Sequence, residues 1–185
     1  AVLKGSNATS MVADANNTIE IAGAHAGVTI GEIANINKIN ITGAKLEAKD
    51  NITVLAKDDY GAKVETVGVA IGGFNGGAIV ADAQNNSNTV VLIQDADLSS
   101  KQINLEAAKQ NDVTAMAASG ALGAVNISGT VAIAKDRGSS EILIGDEENS
   151  SVNKFKADAV NVNVSNKPKV ESKVYAVDAA IAAIS

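Results

Sequence analysis

The chain contains no cysteine and no tryptophan, and only one proline (Pro168), one histidine (His25) and one arginine (Arg137). Without cysteine there are no disulfides, thiolate metal sites or thiol nucleophiles. Aromatic residues are 2% of the 185, so stacking platforms are few. The net charge is −6, and with a single arginine there is no basic stripe to follow a phosphate backbone. Nucleic acid is therefore set aside, and an acidic chain has no attraction to anionic lipid heads. No apolar run is long enough to cross a bilayer; residues 174–184 come nearest and are interrupted by Asp178. The opening Ala1-Val2-Leu3-Lys4-Gly5-Ser6 has no basic region followed by a long apolar stretch. Either a leader has been removed or the chain is an internal piece of a longer protein.

What the chain does hold is small and β-branched. Hydrophobic residues make up 46%, which excludes disorder by composition, and Ile plus Val number 38 against 8 Leu. Cβ-branched side chains are stiff in a helix and pack well on a pleated surface.

Three modules recur in order. Met11-Val12-Ala13-Asp14-Ala15-Asn16-Asn17 resembles Ile79-Val80-Ala81-Asp82-Ala83-Gln84-Asn85 and, more loosely, Val131-Ala132-Ile133-Ala134-Lys135-Asp136, at spacings of 68 and 52 residues. Ile52-Thr53-Val54-Leu55-Ala56 returns as Ile103-Asn104-Leu105-Glu106-Ala107 and as Val160-Asn161-Val162-Asn163-Val164. New alternating runs follow at Val64, Val113 and Val170, after gaps of 12, 10 and 10 residues. The extra two residues are read as a longer polar turn within 57–63. Thr89-Val90-Val91-Leu92-Ile93-Gln94-Asp95 matches Ser140-Glu141-Ile142-Leu143-Ile144-Gly145-Asp146.

Alternation in Thr18-Ile19-Glu20-Ile21, Ile39-Asn40-Ile41-Thr42, Lys45-Leu46-Glu47-Ala48 and residues 160–164 predicts strands. Turn clusters lie at 85–88, 136–140 and 148–151. A sandwich or barrel has no need of the same module three times in order, whereas stacked coils do. The reading is therefore all-β, a single-stranded parallel β-helix (β-solenoid) forming an elongated rod over residues 1–185. Coils of about 20 residues would give eight or nine of them and a rod of about 40 Å. The Ala-rich stretch 176–183 is also compatible with helix. Stacked Asn side chains (Asn85, Asn86, Asn88, Asn104, Asn161, Asn163), placed at turns or on outward positions, are expected to hydrogen-bond from coil to coil. Neither end shows a polar cap, so a fragment of a larger repeat protein, or ends covered by another chain, is expected.

The run Val64-Glu65-Thr66-Val67-Gly68-Val69-Ala70-Ile71-Gly72-Gly73-Phe74-Asn75-Gly76-Gly77-Ala78-Ile79-Val80-Ala81-Asp82-Ala83, echoed over residues 113–146 and ending Ile144-Gly145-Asp146, resembles the repeat of large secreted bacterial filamentous adhesins. These are leukotoxin-type proteins, similar to filamentous haemagglutinins and autotransporter passengers. The sequence departs from that pattern at Asp82 and Asp136, where a neutral strand end is more usual, and in the insert 146–156. The resemblance covers most of the chain. It implies a right-handed β-helix rod on the surface of a Gram-negative cell, exported across the outer membrane.

Chemistry-bearing residues are sparse. The acidic pairs Asp58/Asp59 and Asp95/Asp97, with Asp146/Glu147/Glu148, offer oxygens to calcium, but no glycine-punctuated calcium loop accompanies them, and solvated turn charge is the preferred reading. Paired carboxylates on a β-helix face also serve glycoside hydrolysis. The sugar-holding candidates Phe74, Phe155, Tyr60, Tyr175 and Arg137 are scattered. His25 has no Cys partner and no nucleophile signature beside it. Gly72-Gly73-Phe74-Asn75-Gly76-Gly77 is followed by no Gly-Lys-Ser/Thr, so tight corners explain it better than a phosphate loop. No catalytic, metal or cofactor residue is assigned, no cofactor is expected, and the binding residues are unknown. The expectation is a non-enzymatic structural and adhesive segment whose partners are a host or bacterial cell-surface protein or glycan, adjacent repeats, or further copies meeting through uncapped ends. A polysaccharide-active enzyme, part of a secreted cytotoxin and a passive spacer are the rivals.

Overall fold

The computed structural model describes residues 2–5, 8–24, 27–34, 36–145 and 152–184. In chain order the strands are β1 (Val2–Gly5), β2 (Ala8–Ala24), β3 (Gly27–Ile33), β4 (Ile36–Thr42), β5 (Lys45–Ala48) and β6 (Asn51–Asn85). They continue with β7 (Asn88–Gln94), β8 (Asp97–Ser99), β9 (Gln102–Asp136), β10 (Ser140–Ile144), β11 (Lys154–Lys156) and β12 (Ala159–Ile184). The chain is all-β; no helix occurs among the described residues, and the Ala-rich stretch 176–183 lies within β12.

Every strand pairing among the described residues is parallel. One sheet runs β1-β5-β8-β11, a second β10-β7-β4, and a third β12-β9-β6-β2, with β3 also on β6. Each strand therefore meets its counterpart from the next pass of the chain. Ile36 lies beside Asn88, Asn51 beside Gln102, and Ala159 beside Gln102 on the other edge. The return distance is 43 residues for β1 to β5, 52 for β4 to β7, 51 for β6 to β9 and 57 for β9 to β12. This corrects the expected coil of about 20 residues. The polar clusters at 85–88 and 136–140 do break strands, but the alternating runs between them fuse into 35-residue strands. Four strands in the deepest stack, spaced about 4.8 Å apart, span roughly 15 Å rather than 40 Å.

Two of the three recurring modules have the register the sequence suggests. Ile52, Ile103 and Val160 are neighbours, as are Thr89 and Ser140. The first does not: Met11 lies beside Val54, and Ile79 lies between Gly27 and Thr130. Nor is there a longer turn within 57–63. The offset of 51 holds through it, so Ala62, not Val64, neighbours Val113.

The long strands double back. Tyr60, Ala62 and Val64 from the first part of β6 pack in one buried cluster with Ile79, Ala81 and Ala83 from its last part. In β9 the Ser119 and Thr130 hydroxyls meet at 2.7 Å. A second apolar cluster gathers Ile52, Val54, Ala56, Ile103, Leu105 and Ala107 against Val91, Ile93, Leu98 and Leu46, with Phe155 against its side. Small and branched residues suit this interior because opposing walls approach closely.

The corner after β4 and β7 needs a left-handed residue. Gly43 supplies it with φ +57° and Asp95 with φ +49° in the next pass. Glycine has no Cβ to clash there, and aspartate tolerates the region better than most residues.

On β12, Val160, Val162 and Val164 are about half exposed, although they neighbour the buried Ile103, Leu105 and Ala107. Among the described residues no strand covers their far side. Leu105→Ala should therefore cost about 2–5 kcal/mol by urea unfolding, whereas Val162→Ala, in the same column, should cost under about 1 kcal/mol.

Candidate functional site: a polar layer inside the sheets

Strand alternation sends every second side chain inward. In β6 the inward series reads Ile52, Val54, Ala56, Asp58, Tyr60, Ala62, Val64; in β9 it reads Ile103, Leu105, Ala107, Lys109, Asn111, Val113, Ala115. On the facing wall it reads Ile79, Ala81, Ala83, Asn85, Ser87, Thr89, Val91, Ile93. The polar members of all three series coincide in space. They form a buried layer between the two apolar clusters, joined by Asn37 from β4 and Asp136 from the end of β9.

Lys109 is the centre of this layer. Its side chain is wholly buried, with Nζ 3.6 Å from Asp136 Oδ1. It donates to the Ser87 carbonyl oxygen at 3.3 Å. Asn85 Nδ2 donates to Asp136 Oδ1 at 2.8 Å, and Asn111 Nδ2 donates to Oδ2 at 2.9 Å. Asp58 is the strand neighbour of Lys109 and accepts from the Asn37 amide, which also donates to the Lys57 carbonyl oxygen at 2.9 Å. Burial pushes the Lys109 ammonium below its ordinary value, while Asp136 and Asp58 pull the other way. Burial also pushes the Tyr60 phenol up to about 12, helped by the charge and hydrogen bond of Asp58. Gly138 closes over the layer: a Cβ there would collide with the Ser87 carbonyl oxygen and Lys109 Nζ.

The outer face carries several ion pairs. Lys63 pairs with Glu65 at 3.0 Å, Lys173 with Glu171 at 2.9 Å and Lys169 with Asp112 at 2.9 Å. Glu171 holds the Lys173 ammonium above its ordinary value by hydrogen bond and charge, as Glu47 does for Lys45. Several of these residues line a depression of about 530 Å³. One expected coil-to-coil amide contact is present: Asn161 Nδ2 donates to Asn104 Oδ1 at 2.9 Å. Asn85, expected at a turn or outward position, is instead buried.

The acidic pairs divide. Asp58 points inward and its neighbour Asp59 outward, so those two carboxylates do not converge. Asp95 and Asp97 share a depression of about 280 Å³ with Lys45 and Lys154, and Asp95 serves the corner. Asp146, Glu147, Glu148 and His25 lie outside the described residues. Among the described residues, no three His, Cys, Asp or Glu side chains gather as a metal group. Tyr60 is buried, Phe155 packs at the core's edge, Tyr175 is exposed, and Arg137 is exposed between β9 and β10; the side chain of Phe74 lies outside those described. The glycine run 72–77 lies within β6 rather than ahead of a helix. No described helix is long and apolar enough to cross a membrane.

Comparison with protein-family models, curated proteins and solved structures finds no match to this chain.

Two outcomes follow from the layer. Gly138→Ala should destabilise by about 1–3 kcal/mol in urea, because the Ser87 backbone and the buried ammonium have little room to move. The raised Tyr60 value means that the unfolded chain loses the phenol proton first as pH rises. Stability should therefore fall between pH 10 and about 12, by on the order of 2–3 kcal/mol from Tyr60, and Tyr60→Phe should lessen the alkaline loss by that share.

Proposed function

We propose that the chain is a length of single-stranded, right-handed parallel β-helix serving as a structural and adhesive segment of a secreted bacterial surface adhesin. The observation that carries this reading is the order of the pairings: β4, β5 and β6 are followed by β7, β8 and β9 and then by β10, β11 and β12, each in parallel register on its predecessor. A chain that winds one way with one residue order per pass extends by adding passes, which is how a stalk gains length without a larger core. The reading is non-enzymatic. Outward carboxylates such as Glu65, Asp112 and Glu171 pair with neighbouring lysines, and the cluster around Lys109 and Asp136 is sealed inside.

In this reading the protein lies outside a Gram-negative cell, associated with its outer membrane. Its outer faces meet a host or bacterial surface protein or glycan. The half-exposed valines of β12 meet a further pass of the same kind, from adjacent repeats or from a second copy.

Binding of the purified chain to epithelial cells and to a glycan array tests the adhesive part. Saturable binding is expected, and its absence on both leaves a spacer. Light scattering after size exclusion should show self-association that the double variant Val162→Glu, Val164→Glu abolishes. Leakage from liposomes is expected to be nil, and lysis would favour a toxin.

A further inference from the structure

We propose that Lys109 and Asp136 join in an intramolecular isopeptide bond, with Asp58 carrying the proton. This inference concerns the buried layer alone and stands apart from the adhesive reading.

Three features that amide formation requires coincide here. The first is held proximity: Nζ of Lys109 lies 3.6 Å from Oδ1 of Asp136, and their side chains are 0% and 4% exposed. The Ser87 carbonyl oxygen fixes the nitrogen from one side, and Gly138 leaves it the room that a Cβ would take. Positioning of this kind removes most of the entropic barrier to joining two groups.

The second feature is activation of the carbon. Each carboxylate oxygen of Asp136 accepts from a side-chain amide, Asn85 at 2.8 Å and Asn111 at 2.9 Å. Such donors draw electron density from Cγ and stabilise the oxyanion that forms when nitrogen attacks.

The third is a base in a dry place. Asp58 is fully buried and is the direct strand neighbour of Lys109. Burial favours the uncharged amine, the form with a lone pair to give.

The reaction needs no outside reagent. The ammonium gives one proton to Asp58, and the Nζ lone pair forms the new bond to Cγ. As the tetrahedral centre collapses, one Cγ–O bond breaks. That oxygen leaves as water, carrying the proton returned by Asp58 and a second proton from Nζ. One N–H remains on the amide, Asp58 ends ionised as it began, and a buried ion pair is replaced by a neutral link.

Other pairs in the molecule show what the site has that they lack. Lys135 lies 3.3 Å from Asp82, closer than Lys109 to Asp136, but with the lysine 34% and the aspartate 13% exposed. Lys169 and Asp112, at 2.9 Å, are both more than half exposed. Water reaches these pairs, and they should stay unlinked.

Mass spectrometry of the intact, folded chain decides the matter. The expected result is a protein lighter than its sequence mass by one water, with a branched peptide joining Lys109 to Asp136 on proteolysis. Lys109→Met should have its full sequence mass. Asp58→Asn and Asp58→Ser, each shown by circular dichroism to keep the β signature, should also keep full mass. A folded wild-type chain at full mass, or a water loss mapped to another residue such as a succinimide, overturns the bond. Complete linkage in folded Asp58→Asn or Asp58→Ser overturns the role given to Asp58.

Discussion

The structure depends on parallel register. When each strand hydrogen-bonds to its counterpart from the preceding pass, every inward side chain gains a fixed neighbour above and below. The interior becomes a set of columns, such as Ile52, Ile103 and Val160, or Val54, Leu105 and Val162. A one-residue slip would turn the apolar set outward all along the strand. Column packing also explains the composition: with opposing walls close together, Ala, Val and Ile fill the space that larger aromatics would overfill.

The polar layer interrupts a mostly apolar filling, and it obeys the same rule of columns. Asp58 stacks on Lys109, and Asn85 stacks on Asp136. A buried ion pair is weak support for stability in itself, because desolvation offsets much of the attraction. Its cost falls only if each partner is present, so a misregistered stack that places Lys109 beside an apolar residue leaves an unmatched charge. The layer thus discriminates between the correct stacking and its neighbours in register, while the apolar columns supply most of the stabilisation.

The sequence revealed class and repetition better than size. Period-2 alternation and the Ile and Val excess gave all-β, and the modules beginning at Ile52 and Thr89 gave true stacking partners. The module at Met11 misled, because Val-Ala-Asp-Ala is a pattern that any small-residue strand repeats, and similarity of composition carries no register. The estimate of a short coil failed for a related reason. Turn clusters suggest the ends of strands, but a wall that bends while keeping its ladder needs no such break, as residues 57–63 show. The charge in Lys57-Asp58-Asp59-Tyr60 also suggests a turn and so hides the buried layer. The signal was present in parity: Ile52, Val54, Ala56, Asp58, Tyr60, Ala62 and Val64 share one face without interruption. What parity could not supply is the long-range meeting of Lys109 with Asp136, which exists only once β9 doubles back on itself.

The most direct test is a distance between outward positions on adjacent passes. The absence of cysteine allows spin labels at Thr53→Cys and Asn104→Cys with no background, and these residues are direct strand neighbours. Backbones about 5 Å apart should give an electron paramagnetic resonance spectrum strongly broadened by spin–spin interaction, as should the pair Asn104→Cys and Asn161→Cys. Sharp, non-interacting spectra from both pairs in the folded protein would contradict the parallel register from which the rest is built.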